Sequence, residues 1–148
     1  MTEHNSSPGI SEEARAFAEN TLHGLPFSKL IGMRLVDLRP DEAVIRVEMR
    51  DDLRQPSGVL HGGVTATLID TAMAFAVRTR LDKSEATATI DLTVHYLRPV
   101  TEGAITCTAK VVRAGKRIFT VSAEVHNDQS KLIATGLSTY TRVSETPA

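Results

Sequence analysis

Tryptophan is absent from the chain, tyrosine occurs only twice, and Cys107 is the one cysteine in 148 residues. A lone cysteine excludes an internal disulfide, and its place in an alternating segment makes it a small buried strand residue rather than a nucleophile. An excess of either charge is missing too: 17 Lys and Arg oppose 18 Asp and Glu, for a net charge of −1. Such a balance supplies no general attraction to nucleic acid or anionic lipid, so neither is expected as a partner. Long apolar runs are also lacking. The most apolar helical segment is interrupted by Thr65, Thr67, Asp70 and Thr71, which argues against a membrane span. The opening residues MTEHNSSPGISEE are polar and acidic, where a secretory signal needs basic residues followed by an apolar block. The expectation is a soluble, cytoplasmic protein, with residues 1–10 as a disordered tail and residues 11–148 as a single domain of a length that supports one core.

What is present is periodicity. Ser11 is placed to cap a helix running through Leu22, with Ala14, Phe17, Ala18 and Leu22 on one face, and His23-Gly24 and Pro26 are expected to stop it. Two strands follow at residues 33–38 and 43–49, around a turn at Arg39-Pro40-Asp41-Glu42. From Gly62 to Val77 the pattern is helical and apolar in nearly every direction, so this helix needs cover on most sides. Period two then holds almost to the end. Residues 87–97 set Ala88, Ile90, Leu92, Val94 and Tyr96 on one face, and segments 104–112, 118–125 and 131–143 continue the alternation. The separators at 99–103, 114–116 and 127–130 are short enough for antiparallel neighbours. The layout of two strands, a long helix and four strands predicts an α+β fold with one antiparallel sheet curled around a central helix.

One acid breaks that helix. A carboxylate among apolar side chains costs several kcal/mol unless it is paired, hydrogen-bonded or neutralised, roughly by transfer estimates. Asp70 therefore either faces water at a helix edge, accepts bonds from hydroxyls such as those of Thr67 and Thr71, or does chemistry. The helix begins at His61-Gly62-Gly63, where two residues without side chains leave the first-turn N–H groups open to a ligand atom. Those donors and the positive end of the helix dipole suit a carbonyl oxygen that gains charge during acyl transfer. At about 1.5 Å per residue, Asp70 lies roughly 11 to 13 Å along the axis from these amides. One carbonyl cannot be held by both within a chain, so a shared reaction requires the amides of one subunit and the acid of another, packed across a twofold axis.

The stretch from Gln55 through His61-Gly62-Gly63 to Asp70, with the acid nine positions after His61, resembles the hotdog-fold acyl-CoA thioesterases. The similar branch holds the phenylacetic-acid-degradation thioesterase and the 4-hydroxybenzoyl-CoA thioesterases with an acid on the central helix. The strand IDLTVHYLRPV and the AGKR turn extend the similarity over about residues 30 to 143. The resemblance implies a hotdog fold, an acyl-CoA substrate with an aryl or medium-chain acyl group, no cofactor, no metal, and a homo-oligomer, either a dimer or a tetramer built from dimers. It implies that the Gly63 amide polarises the thioester carbonyl, and that Asp70 of the facing subunit acts as general base on water or as nucleophile through a mixed anhydride. His61 would orient the loop, Gln55 would stand near the reacting carbonyl or water, and Thr89 would place a hydroxyl near the acid. For binding, the candidates are Gly62 beside the carbonyl, Met73 and Val77 with the Leu25-Pro26-Phe27 segment for the acyl group, and Arg98, Arg113, Lys116 and Arg117 for the CoA phosphates. A hotdog module that holds acyl-CoA without cleaving it is the alternative, and the acid at position 70 favours the enzyme. A hydratase lacks support, because His95 and His126 stand alone on strands.

Overall fold

The structure, a computed structural model, describes residues 9–144. The expected tail at 1–10 thus falls mainly outside the described residues, and its last member, Ile10, is half-buried against the core. Helix α1 (Glu12–Gly24) begins as expected: Ser11 Oγ accepts the Ala14 N–H at 3.1 Å. Pro26 does not simply end the helical run. It occupies the first turn of a second short helix, α2 (Pro26–Ile31), where its missing N–H would have had no partner in any case. Strands β1 (Met33–Arg39) and β2 (Glu42–Glu48) form a hairpin closed by Pro40 and Asp41, with Asp41 at φ 65°.

Helix α3 (Gly62–Arg78) is followed by β3 (Glu85–Tyr96), β4 (Ala104–Ala114), β5 (Ile118–Asn127) and β6 (Leu132–Ser144). The six strands form one antiparallel sheet in the order β1-β2-β4-β5-β6-β3, wrapped around α3 in the hotdog arrangement. Leu68, Ile69, Ala72, Met73 and Ala76 are wholly buried against it. The approach is close at Gly136 on β6, where a Cβ would stand 2.7 Å from Ile69 Cγ2 and 3.2 Å from Met73 Cε. Cys107 sits on β4 without exposed surface, and burial pushes its thiol far up from the ordinary range, so it is inert core.

Two expectations fail, both in β3. The segment at 99–103 is not a hairpin turn: both edges of β4 are taken by β2 and β5, and β3 lies at the far edge of the sheet beside β6. The connecting segment is pinned instead to the loop before α3, with Leu60 N–H donating to Val100 O at 2.8 Å and Arg54 Nη1 to Thr101 O at 3.0 Å. Nor do Ala88, Ile90, Leu92, Val94 and Tyr96 share one apolar face. The pairing with β6 slips between Thr89 and Asp91, and this bulge leaves Ile90 55% exposed. Asp91 Oδ1 accepts the Thr139 N–H at 2.8 Å, which holds the irregularity in place. A bulge re-aims side chains. Here Thr89 turns toward α3 on one side of it, while Leu92 and Val94 pack against the core on the other.

Candidate active site

Asp70 lies in the middle of α3 on a stripe that the sheet leaves partly open, with Gly63, Ala66, Thr67, Thr71 and Ala74. Its Oδ1 accepts two hydrogen bonds, from Thr89 Oγ1 at 2.9 Å and from the Tyr140 hydroxyl at 2.8 Å. The same hydroxyl stands 2.7 Å from the Asp70 main-chain oxygen. Oδ2 has no hydrogen-bond partner among the described residues. The two helix hydroxyls considered from sequence are not the ones used: Thr67 Oγ1 donates to Gly63 O at 2.8 Å, and the Asp70 side chain is bonded from the sheet, by the Thr89 that the resemblance had placed near the acid. The structure therefore brings Thr89 to the acid and adds Tyr140.

At the start of the helix the expectation of an open Gly63 N–H is not met. His61 is the N-cap of α3, and its Nδ1 accepts that N–H at 2.9 Å. This bond requires a neutral imidazole carrying its proton on Nε2. Val64 N–H is also engaged, by His61 O at 2.9 Å. Next to this turn a cavity of about 380 Å³ is lined by Gln55, Val59, Leu60, Gly62, Tyr96, Arg98 and their neighbours. Gln55 Nε2 donates to Ser57 Oγ at 2.8 Å, while Tyr96 donates its hydroxyl to Gly62 O at 2.9 Å and packs over that glycine, whose Cβ would stand 3.3 Å from the ring. Arg98 borders the same cavity, with Nη1 on Leu132 O at 2.7 Å.

Other expected site residues lie elsewhere. Met73 is 0% exposed beneath Gly136, so it is core and offers no surface to an acyl group. Val77 is buried in the same way. Leu25 and Phe27 are exposed on the entry to α2. Arg113, Lys116 and Arg117 are exposed around the β4–β5 turn, and none forms a salt bridge among the described residues. That turn lies at the Asp70 end, since one row of paired residues runs Ala114, Phe119, Tyr140, Thr89 across four strands. Arg98 belongs to the opposite, Gly62 end. Among the described residues no group of three or more His, Cys, Asp or Glu is placed to hold a metal ion, and no helix is long and apolar enough to cross a membrane.

A central helix that starts at a glycine pair and carries one acid, wrapped by this sheet, has counterparts among known proteins. The model of the thioesterase superfamily matches residues 57–134, from Ser57 before the glycine turn to Ala134 on β6. The chain belongs to the thioesterase superfamily. Within that superfamily it is similar to the medium/long-chain acyl-CoA thioesterase YigI of Escherichia coli, 28% identical over 137 residues that cover 82% of this chain and 88% of the relative. Among solved structures, the conserved protein PA5202 of Pseudomonas aeruginosa is 33% identical with a TM-score of 0.77, covering 80% of this chain and 94% of that one. The Escherichia coli PaaI protein from the phenylacetic acid degradation operon is 25% identical with a TM-score of 0.83, covering 93% and 98%.

Sequence reasoning missed Tyr96 and Tyr140. Their scarcity was the available signal: these are the only two tyrosines in the chain, and both hydroxyls land on α3, one at each end of the candidate site.

Proposed function

We propose that the protein hydrolyses an acyl-CoA thioester to the free acid and CoA, with each reaction centre shared by two subunits of a homo-oligomer. The observation that carries this reading is the carboxylate of Asp70, bonded through Oδ1 and open at Oδ2, on a stripe of small residues along the exposed side of α3. The unbroken helix from Gly62 separates Asp70 from the first-turn amides by roughly 11 to 13 Å along its axis, so the thioester carbonyl bound at one subunit's Gly62-Gly63 turn meets the acid of the other. The Gly63 N–H is then shared between the carbonyl oxygen and the His61 ring, and Gln55 lies close enough to the turn to hold the carbonyl or the water.

In the base route, Oδ2 takes a proton from water as the water oxygen attacks the carbonyl carbon. The C–S bond then breaks, and the departing thiolate recovers the proton. In the nucleophile route Oδ2 itself forms the C–O bond, CoA leaves, and water opens the mixed anhydride. The apolar walls of the cavity beside Gly62, with Val59, Leu60 and Val100, suit an aryl or medium-chain acyl group, and the exposed Arg113, Lys116 and Arg117 of the acid-bearing subunit suit the CoA phosphates.

Asp70→Asn tests the reading. Thiol release from benzoyl-, phenylacetyl-, octanoyl- and palmitoyl-CoA identifies the best substrate of the wild-type protein, and the variant is expected to lose about 10²- to 10⁴-fold in kcat on it while keeping the wild-type oligomer. Near-wild-type turnover rejects the role of the acid. A wild-type protein that binds these thioesters and releases no thiol is a binding module.

A further inference from the structure

Among the described residues Tyr140 is the largest side chain with essentially no exposed surface. Phenylalanine would fill the same volume without burying a hydroxyl, and a buried phenol has to find a partner. This one finds Asp70 twice, its single proton lying between the main-chain oxygen at 2.7 Å and Oδ1 at 2.8 Å. Burial, and then the neighbouring Asp70 charge, push the phenol well above its ordinary range, so it keeps its proton and donates it to Asp70. The second donor, Thr89 at 2.9 Å, approaches from the adjacent strand. Because Tyr140 pairs directly with Thr89 across β6 and β3, the two hydroxyls reach the same oxygen from one row of the sheet.

We infer that Tyr140 is a positioning residue: with Thr89 it ties Oδ1 of Asp70 to the sheet, so that the other carboxylate oxygen, Oδ2, is the one presented to substrate on the open side of α3. The inference rests on the proposed role of Asp70 and adds the group that fixes which oxygen performs it. A carboxylate on a two-carbon side chain can rotate about both of its torsions, and holding one orientation removes that freedom before substrate arrives. Tyr140 is wholly buried and reaches the site only through Asp70, so its loss affects the chemical step and leaves substrate binding intact.

Tyr140→Phe in the full chain tests this with the best acyl-CoA of the same four-member panel. The expected result is a fall in kcat of about 10- to 100-fold, the range for a lost hydrogen bond to a charged group, with KM within about twofold of wild type and the protein still folded, its thermal midpoint lowered by the lost bond. Thr89→Val is expected to act in the same direction, and Thr89→Ser to restore most of the loss. A crystal structure of Tyr140→Phe is expected to show the Asp70 carboxylate turned from its wild-type orientation. Unchanged kcat, a KM effect in place of a kcat effect, or an Asp70 side chain in its original orientation overturns the inference. The two readings separate cleanly: an inactive Asp70→Asn beside a fully active Tyr140→Phe rejects the positioning role alone, whereas an active Asp70→Asn rejects the role of the acid and the inference with it.

Discussion

At His61 one side chain changes what the start of the helix can offer, by occupying the N–H that the glycine pair leaves exposed. The sequence places it before a glycine pair, where an open N–H invites a ligand, and the folded chain fills that N–H with the histidine's own Nδ1. Capping of this kind satisfies one of the orphan donors of a helix start. His61→Ala is therefore expected to destabilise the fold by about 1 kcal/mol, lowering the thermal midpoint by roughly 2 to 4 °C for a chain of this size. His61→Asn, which keeps an acceptor at the cap, should recover most of that loss in the same thermal scan. Asp70 was legible as an anomaly because a charge in an apolar helix has few explanations. Its partners carry no local signal, because Thr89 and Tyr140 lie 19 and 70 residues away in sequence: Thr89 entered only through the resemblance, and Tyr140 not at all.

Among elements, α3 was the most legible and β3 the least. The helix bounds expected from the glycine pair and the apolar run agree with Gly62–Arg78, since hydrophobic periodicity over seventeen residues is a strong local signal. In β3 the alternation looked continuous, yet the bulge beside Ile90 divides it into two faces. An inserted residue changes the register without changing the composition that a periodicity count detects. The same interface between helix and sheet makes a firm energetic expectation at Gly136. Replacing it by alanine would bring Cβ to 2.7 Å from Ile69 Cγ2, and such overpacking is expected to cost about 1 to 3 kcal/mol in urea unfolding. Little room exists for relief, because Ile69 and Met73 are themselves fully enclosed.

At the scale of the molecule, the helix separates the Gly62 end, with Gln55, Tyr96 and Arg98, from the Asp70 end, with Thr89, Tyr140 and the basic turn. A shared centre makes a stringent prediction for mixed oligomers. A purified dimer of one Asp70→Asn chain and one Gln55→Ala chain holds one intact centre and one doubly altered centre, so about half of wild-type activity is expected, although each variant alone is nearly inactive. Activity no higher than the mean of the two variants would place each centre within one chain. The sequence by itself determined the α+β class, the central helix, the isolated acid and the glycine turn, because each is written in local periodicity, side-chain volume or the cost of burying charge. Tertiary structure alone decided that β3 lies at the sheet edge beside β6, that Met73 is core, and that both tyrosines reach the helix. Those facts depend on register and on contacts between residues far apart in the chain, which take shape only when the strands have chosen their neighbours.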